Sequence, residues 1–292
     1  MTALKAQGVT YQYRQIDPVH NADGGAPNSN IRVGFLFRPD RVTFVDRPGG
    51  TAVTPTEDDP AQPGAQLTFS PGRVDPNNPV WEDSRKPLAG EFRFRGRKLF
   101  VVSNHFNSKG GDAPLFGRFQ EPYRPSELQR RGATQPAEDP QRGQAGVLNS
   151  WIERLQAAER GVRVIALGDF NDFQFSETSR VLERGAPGSR LEMANLWRFV
   201  PEREQYSYIF QGNAQVLDHI FVSPGLLSER PQFDAVHINS EFSEEQQSDH
   251  DPPLARFTFD DDGDDDDSGD DDEDGDDDGG DDDGDGDDDG DD

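Results

Sequence analysis

Val162-Arg163-Val164-Ile165-Ala166-Leu167-Gly168-Asp169-Phe170-Asn171 is an aliphatic run that ends in a glycine, a carboxylate and an amide. The run reads as a buried strand, and the glycine lets the strand end turn. Upstream, Val147, Leu148, Trp151, Ile152 and Leu155 recur at helical spacing, and Gly161 follows as a suitable residue beyond a helix C-terminus. A helix, then a strand, then a polar tip is the rhythm of an α/β layer.

The same reading extends in both directions. Ile31 to Phe37 forms an apolar strand closed by Arg38-Pro39, where the missing proline N–H ends a ladder. Residues 46 to 90 carry eight prolines, which predicts a long irregular excursion, and ordered loops of that length usually serve a site. Glu91 to Phe94 and Leu99 to Val102 flank an Arg95-Gly96-Arg97 turn, so a hairpin delivers Ser103-Asn104-His105. Ser176 is placed to cap a short helix through about Arg184, and a second short helix is expected from Leu191 to Phe199. Tyr206 to Phe210 and Val216 to Val222 flank Gly212-Asn213 as a hairpin, and Phe257-Thr258-Phe259 reads as a closing strand. The body shows no internal repeat.

Polar groups stand at several of these strand ends: His105, Asp169 and Asn171, Asp218, and finally Asp249-His250. An aspartate in this position can orient or deprotonate water, and an asparagine amide can bind a phosphate oxygen. Both are equally familiar as turn residues that bond their own backbone. Strand alternation sends Asp218 and His219 to opposite faces, so Asp218 is assigned to the site and His219 to the structure. Asp218 can fix the tautomer of His250 and raise its basicity. Asn107 and Lys109 are candidate phosphate contacts. His20 and His237 receive no role. The stretch from Lys109 to Arg142 interleaves five arginines with Phe116, Phe119 and Tyr123, which suits either a nucleic-acid platform or an ordinary solvated loop.

In order and chemistry these groups resemble the endonuclease/exonuclease/phosphatase superfamily over roughly residues 9 to 259. The resemblance implies a four-layer α/β/β/α sandwich. It also implies hydrolysis of a phosphodiester assisted by Mg²⁺, with Mn²⁺ or Ca²⁺ as substitutes. On that pattern Asp249 and Asp169 are the metal ligands. Asn171 positions the nucleophile with Asp169, His250 acts with Asp218 on water or phosphate, and His105 stabilises the transition state. Which of Asp169 and His250 takes the proton stays open. Asn30 to Pro39, Asn104 to Gly111 and Leu217 to Ile220 look most like bacterial extracellular nucleases, which tips the substrate toward DNA or RNA. The rival readings are a phosphatase or phospholipase C-type enzyme on a small phosphoester, and an inactive binding remnant. A monomer is expected.

The superfamily's early strands supply an Asn and a metal-binding Glu, whereas the first glutamate here is Glu57. Residues 3 to 16 instead look like the segment after that Glu. The sequence therefore predicts a domain over residues 1–259 that lacks its first strands. Residues 260–292 form an acidic tail holding 24 of the chain's 57 acidic residues, so 33 precede it against 29 basic residues. Without an apolar side chain to bury, that tail is expected to be disordered, with at most weak Ca²⁺ binding. The absence of cysteine rules out disulfides and thiolate chemistry. Residues 1 to 8 lack the apolar core of a signal peptide, although the nucleases resembled are secreted, and no stretch is long enough to span a bilayer.

Overall fold

The computed structural model describes residues 8–25, 28–108, 140–184, 193–210, 212–242 and 246–259. The chain divides into two units, Met1–Thr258 and Phe259–Asp292, and of the second only Phe259 lies among the described residues. The expected acidic tail at 260–292 and most of the arginine-rich stretch after Lys109 therefore fall outside them.

The first unit runs β1 (Gln12–Gln15), β2 (Gly34–Phe37), β3 (Thr43–Phe44), β4 (Gly72–Arg73), β5 (Leu88–Phe94), β6 (Arg97–His105), α1 (Pro140–Ala158), β7 (Val164–Asp169) and α2 (Glu177–Arg184). It continues through β8 (Ala194–Asn195), β9 (Tyr208–Phe210), β10 (Asn213–Gln215), β11 (Asp218–Val222), α3 (Pro224–Leu227), β12 (Gln232–Ala235) and β13 (Pro253–Arg256). A seven-stranded mixed sheet has the order β3-β5-β6-β7-β11-β8, with β4 also on β5. Within it β6 and β7 are parallel and β7 and β11 antiparallel.

Alternation along β6 decides the layering. Phe100 and Val102 face the helical side, where Leu148, Trp151, Ile152 and Leu155 of α1 and Leu182 of α2 bury their apolar stripes. Leu99 and Val101 face the other way, onto Ile16, Val33, Phe35, Phe37, Phe44 and Phe92. That second core joins the large sheet to the β1–β2 ribbon. The fold is thus the α/β sandwich that the sequence implies. Among the described residues its second β layer consists of short pairs, and both longer helices pack on the large sheet. Each fully buried Leu or Phe of these cores contributes roughly 1.5–3 kcal/mol.

Several boundaries differ from the sequence expectations. The strand expected from Ile31 begins only at Gly34, since Asn30 is engaged with Asn21 and Gly24 bridges to it. No α-helix forms at 193–199: Asn195 pairs with Phe221 in the sheet, and its side chain caps a 3-10 turn over Leu196–Phe199. Tyr206–Val222 is not one hairpin, because β9 pairs with β10 while β11 leaves to pair with β7. The closing strand ends at Arg256, where its pairing with β12 ends. The proline-rich excursion is largely a packing element that buries Leu67, Val74 and Trp81.

Candidate active site

Three adjacent strands of the large sheet place three of the expected residues in one row. In the parallel pairing of β6 with β7, His105 stands opposite Asp169, and in the antiparallel pairing of β7 with β11, Asp169 stands opposite Asp218. Gly168 permits the close approach: its φ is +129°, and a Cβ there would lie 2.1 Å from the carbonyl oxygen of Asn104.

The residues after Asp169 alternate between core and site. Phe170 is buried against Phe106 and Phe221. Asn171 turns back at φ +50°, a conformation asparagine tolerates. Its backbone N–H donates to Asp169 Oδ1 at 2.8 Å, and its Nδ2 donates to Asp169 Oδ2 and to the Phe106 carbonyl at 3.1 Å each.

His250 reaches the row from a different segment. A β-bridge to Tyr208 holds its backbone, the Tyr208 ring lies 4.6 Å from its own, and Nδ1 is 2.6 Å from Asp218 Oδ2. Ser207 completes the Asp218 environment: its hydroxyl donates to Oδ2 at 2.8 Å and accepts from the N–H groups of Leu217 and Asp218. His105 Nε2 stands 3.5 Å from Asp169 Oδ2.

His219, the neighbour of Asp218, is fully buried on the opposite face. Asn195 Nδ2 donates to its Nδ1 at 2.9 Å and its Nε2–H donates to the Asp172 carbonyl at 2.8 Å, which fixes one neutral tautomer. His20 is exposed, and His237 pairs with Asp251 at 3.0 Å.

The electrostatics separate the groups. Burial, reinforced by the charge of Asp218, pushes the Asp169 carboxyl up to about 6. Burial, with the positive charges of Arg85 and His250, pushes His105 down to about 4. Burial also works against a charged His250, but the hydrogen bond and charge of Asp218 outweigh it and lift that imidazole to about 9. Without a metal, His105 is therefore neutral and His250 cationic near neutral pH.

Asp169, Asp218 and His250 each offer a ligand atom, and these atoms lie within 4.8 Å of one another. Two carboxylates and an imidazole suit a hard divalent cation, and a cation would offset both the burial and the Asp218 charge that raise the Asp169 carboxyl. Asp249 is outside that group: it is exposed, and its charge acts on Tyr208 and His250. Ser207 and Tyr208 carry no sequence signal beyond a strand, because their contacts with Asp218 and His250 reach more than ten residues along the chain. Asn107, beside His105, is tied to α1 through Gln141 and Gln144, while Lys109 lies outside the described residues.

The sequence profile of the Endonuclease/Exonuclease/phosphatase family matches residues 2–250. Comparison with curated proteins gave no match. Among solved structures, humanized D. rerio TDP2 is similar at 18% identity and TM-score 0.46, over 88% of this chain and 80% of that one. The human Nocturnin catalytic domain, with bound sulfate, aligns at 15% identity and TM-score 0.48, over 88% and 76% of the two chains. A Bacteroides thetaiotaomicron mannosyl-6-phosphatase aligns at 14% identity and TM-score 0.43, over 85% and 77%.

Proposed function

Because the chain belongs to the Endonuclease/Exonuclease/phosphatase family, we propose that it is a divalent-metal-dependent phosphodiesterase, an endonuclease acting on DNA or RNA. The observation that carries this reading is the His250–Asp218 pair standing beside Asp169 at the end of the large sheet.

The Asp218 carboxylate binds Nδ1 of His250 and keeps the ring protonated, which leaves Nε2–H to face the substrate. An imidazolium there donates to a phosphate oxygen as charge builds on it. Asp169 is the proton acceptor in this reading, since His250 already carries its proton and, without a metal, burial lifts the Asp169 carboxyl above the usual carboxylate range. Asn171 holds both oxygens of Asp169 in place, and neutral His105 offers a ring N–H donor beside them. Magnesium, with manganese or calcium as substitutes, would be held by Asp169 first, because Asp218 is committed to His250; the exposed Asp249, outside that cluster, is the second ligand on the family pattern alone. When bound, such an ion neutralises phosphate charge and polarises the scissile group.

The test is nicking of a supercoiled plasmid with magnesium, with and without EDTA. Nicking that EDTA abolishes, and that Asp169→Ala and His250→Ala both lose, supports the reading. Hydrolysis of a small phosphoester with no attack on plasmid would replace it by a phosphatase or phospholipase C-type activity.

A further inference from the structure

Arg85 lies in the proline-rich excursion, outside every strand and helix, yet only 5% of its surface is exposed. Burying a guanidinium is expensive unless its charge and its N–H groups are matched. Among the described residues no carboxylate forms an ion pair with it, and its Nε has no hydrogen-bond partner. Its one hydrogen bond among them runs from a terminal nitrogen to the carbonyl of Phe106. The chain makes room for this: Gly25 has φ +82°, and a Cβ there would fall 2.1 Å from an Arg85 nitrogen.

The Phe106 carbonyl is a junction. It also accepts Asn171 Nδ2 at 3.1 Å, while the Phe106 N–H donates to the Asp169 carbonyl at 2.9 Å. Asn171 in turn holds both carboxylate oxygens of Asp169. The tips of β6 and β7, which carry His105 and Asp169, are thus linked through the backbone N–H and C=O of one residue, Phe106. The charge of Arg85 acts on both of those side chains.

We propose that Arg85 is a positioning residue for phosphoester hydrolysis: it fixes the Phe106 carbonyl, and through it the Asn171 amide that aims Asp169. The inference rests on the phosphodiesterase reading above. Arg85 is too deeply buried to touch a substrate, so it acts through the backbone. The Phe106 oxygen has two lone pairs, and the guanidinium and the Asn171 amide use both. Without the charged donor, the carbonyl loses its anchor, and the Asn171 amide loses the fixed acceptor that sets its direction.

The experiment compares Arg85→Met and Arg85→Lys with the parent 292-residue chain, in magnesium, on bis(p-nitrophenyl) phosphate. Arg85→Met is expected to lower kcat about 10–100-fold, the range seen when outer supports of a site are removed. KM should change by less than about twofold, because binding of substrate is not what the residue supplies. Arg85→Lys should recover part of kcat, since an ammonium also donates to a carbonyl. In parallel, solvent exchange of the Asn171 side-chain amide is followed by NMR without metal, and it should quicken in Arg85→Met. Should Arg85→Met fail to fold, the same two measurements on Arg85→Lys decide the matter, with intermediate values expected. A folded variant with parental kcat, or with Asn171 exchange unchanged, overturns the proposal. If the parent hydrolyses no phosphodiester, the functional reading fails, and the exchange measurement alone then decides whether Arg85 positions Asn171.

Discussion

Asp218 and His219 are adjacent in sequence and opposite in surroundings. Asp218 meets His250 and Ser207 at the sheet end, while His219 is sealed between Asn195 and the Asp172 carbonyl. One titratable side chain is exploited for its charge and the other is held neutral by burial. Asp218→Asn should therefore change His250 more than any other group. Its imidazole should fall from about 9 toward the ordinary 6.5, and kcat should drop about 10²–10⁴-fold, the usual worth of a general acid or base. The pH dependence of stability has a definite sign. The folded pKa lies above the unfolded one, so the pair contributes fully below pH 6.5 and its contribution is lost as the pH rises through about 9. In EDTA, the melting temperature of the parent should decline across that window more steeply than that of Asp218→Asn. Equal slopes would show that the carboxylate does not hold the proton on His250.

The element that brings His250 to the row is the loop before β13, and Asp251 organises it. Its carboxylate accepts the N–H groups of Ile238, Asn239 and Ser240 at 3.0, 2.8 and 3.0 Å and pairs with His237, while Asn239 Nδ2 donates to the His250 carbonyl at 2.8 Å. Burial pushes this carboxyl up, but the bonds from Ser240 and His237 outweigh it and hold it at about 2. Its contribution is present above pH 3.8 and is lost as the pH falls through about 2. Asp251→Ala should cost about 2–4 kcal/mol in a urea titration at pH 7, since several donors lose their acceptor at once. A loss under about 1 kcal/mol would mean that water replaces the carboxylate without penalty. Nothing in the sequence marks Asp251, because an aspartate before two prolines has no period and its partners lie 11–14 residues away in a loop. The strands β5, β6, β7 and β11 were legible for the opposite reason: their apolar runs and turn residues are local signals. The residues at their tips could be named from the chain, but their alignment depends on β7 lying between β6 and β11, an order that no local pattern encodes. The short helix expected up to Phe199 failed similarly, because pairing of Asn195 with Phe221 prevailed over local helical spacing.

At the scale of the whole molecule the formal charge is −28, yet the residues before Asp260 are nearly balanced. The 24 acidic residues from Asp260 to Asp292 thus set the net charge. A polyanionic substrate approaching this chain is repelled by a covalently attached segment of the same sign. That repulsion is long-ranged only at low ionic strength, because the Debye length falls from about 30 Å at 0.01 M salt to about 8 Å at 0.15 M. It follows that a chain ending at Phe259 should bind a fluorescent oligonucleotide more tightly than the full chain. The comparison is best made with His250→Ala in both lengths, so that the probe survives. At 0.01 M salt the shorter chain should bind about tenfold more tightly, and at 0.15 M the advantage should shrink to about twofold. The direction of the salt effect is the discriminating part. Like-charge repulsion must matter least where screening is strongest. An advantage that persists undiminished at 0.15 M would therefore mean that residues 260–292 obstruct the site by contact, and that their charge is incidental.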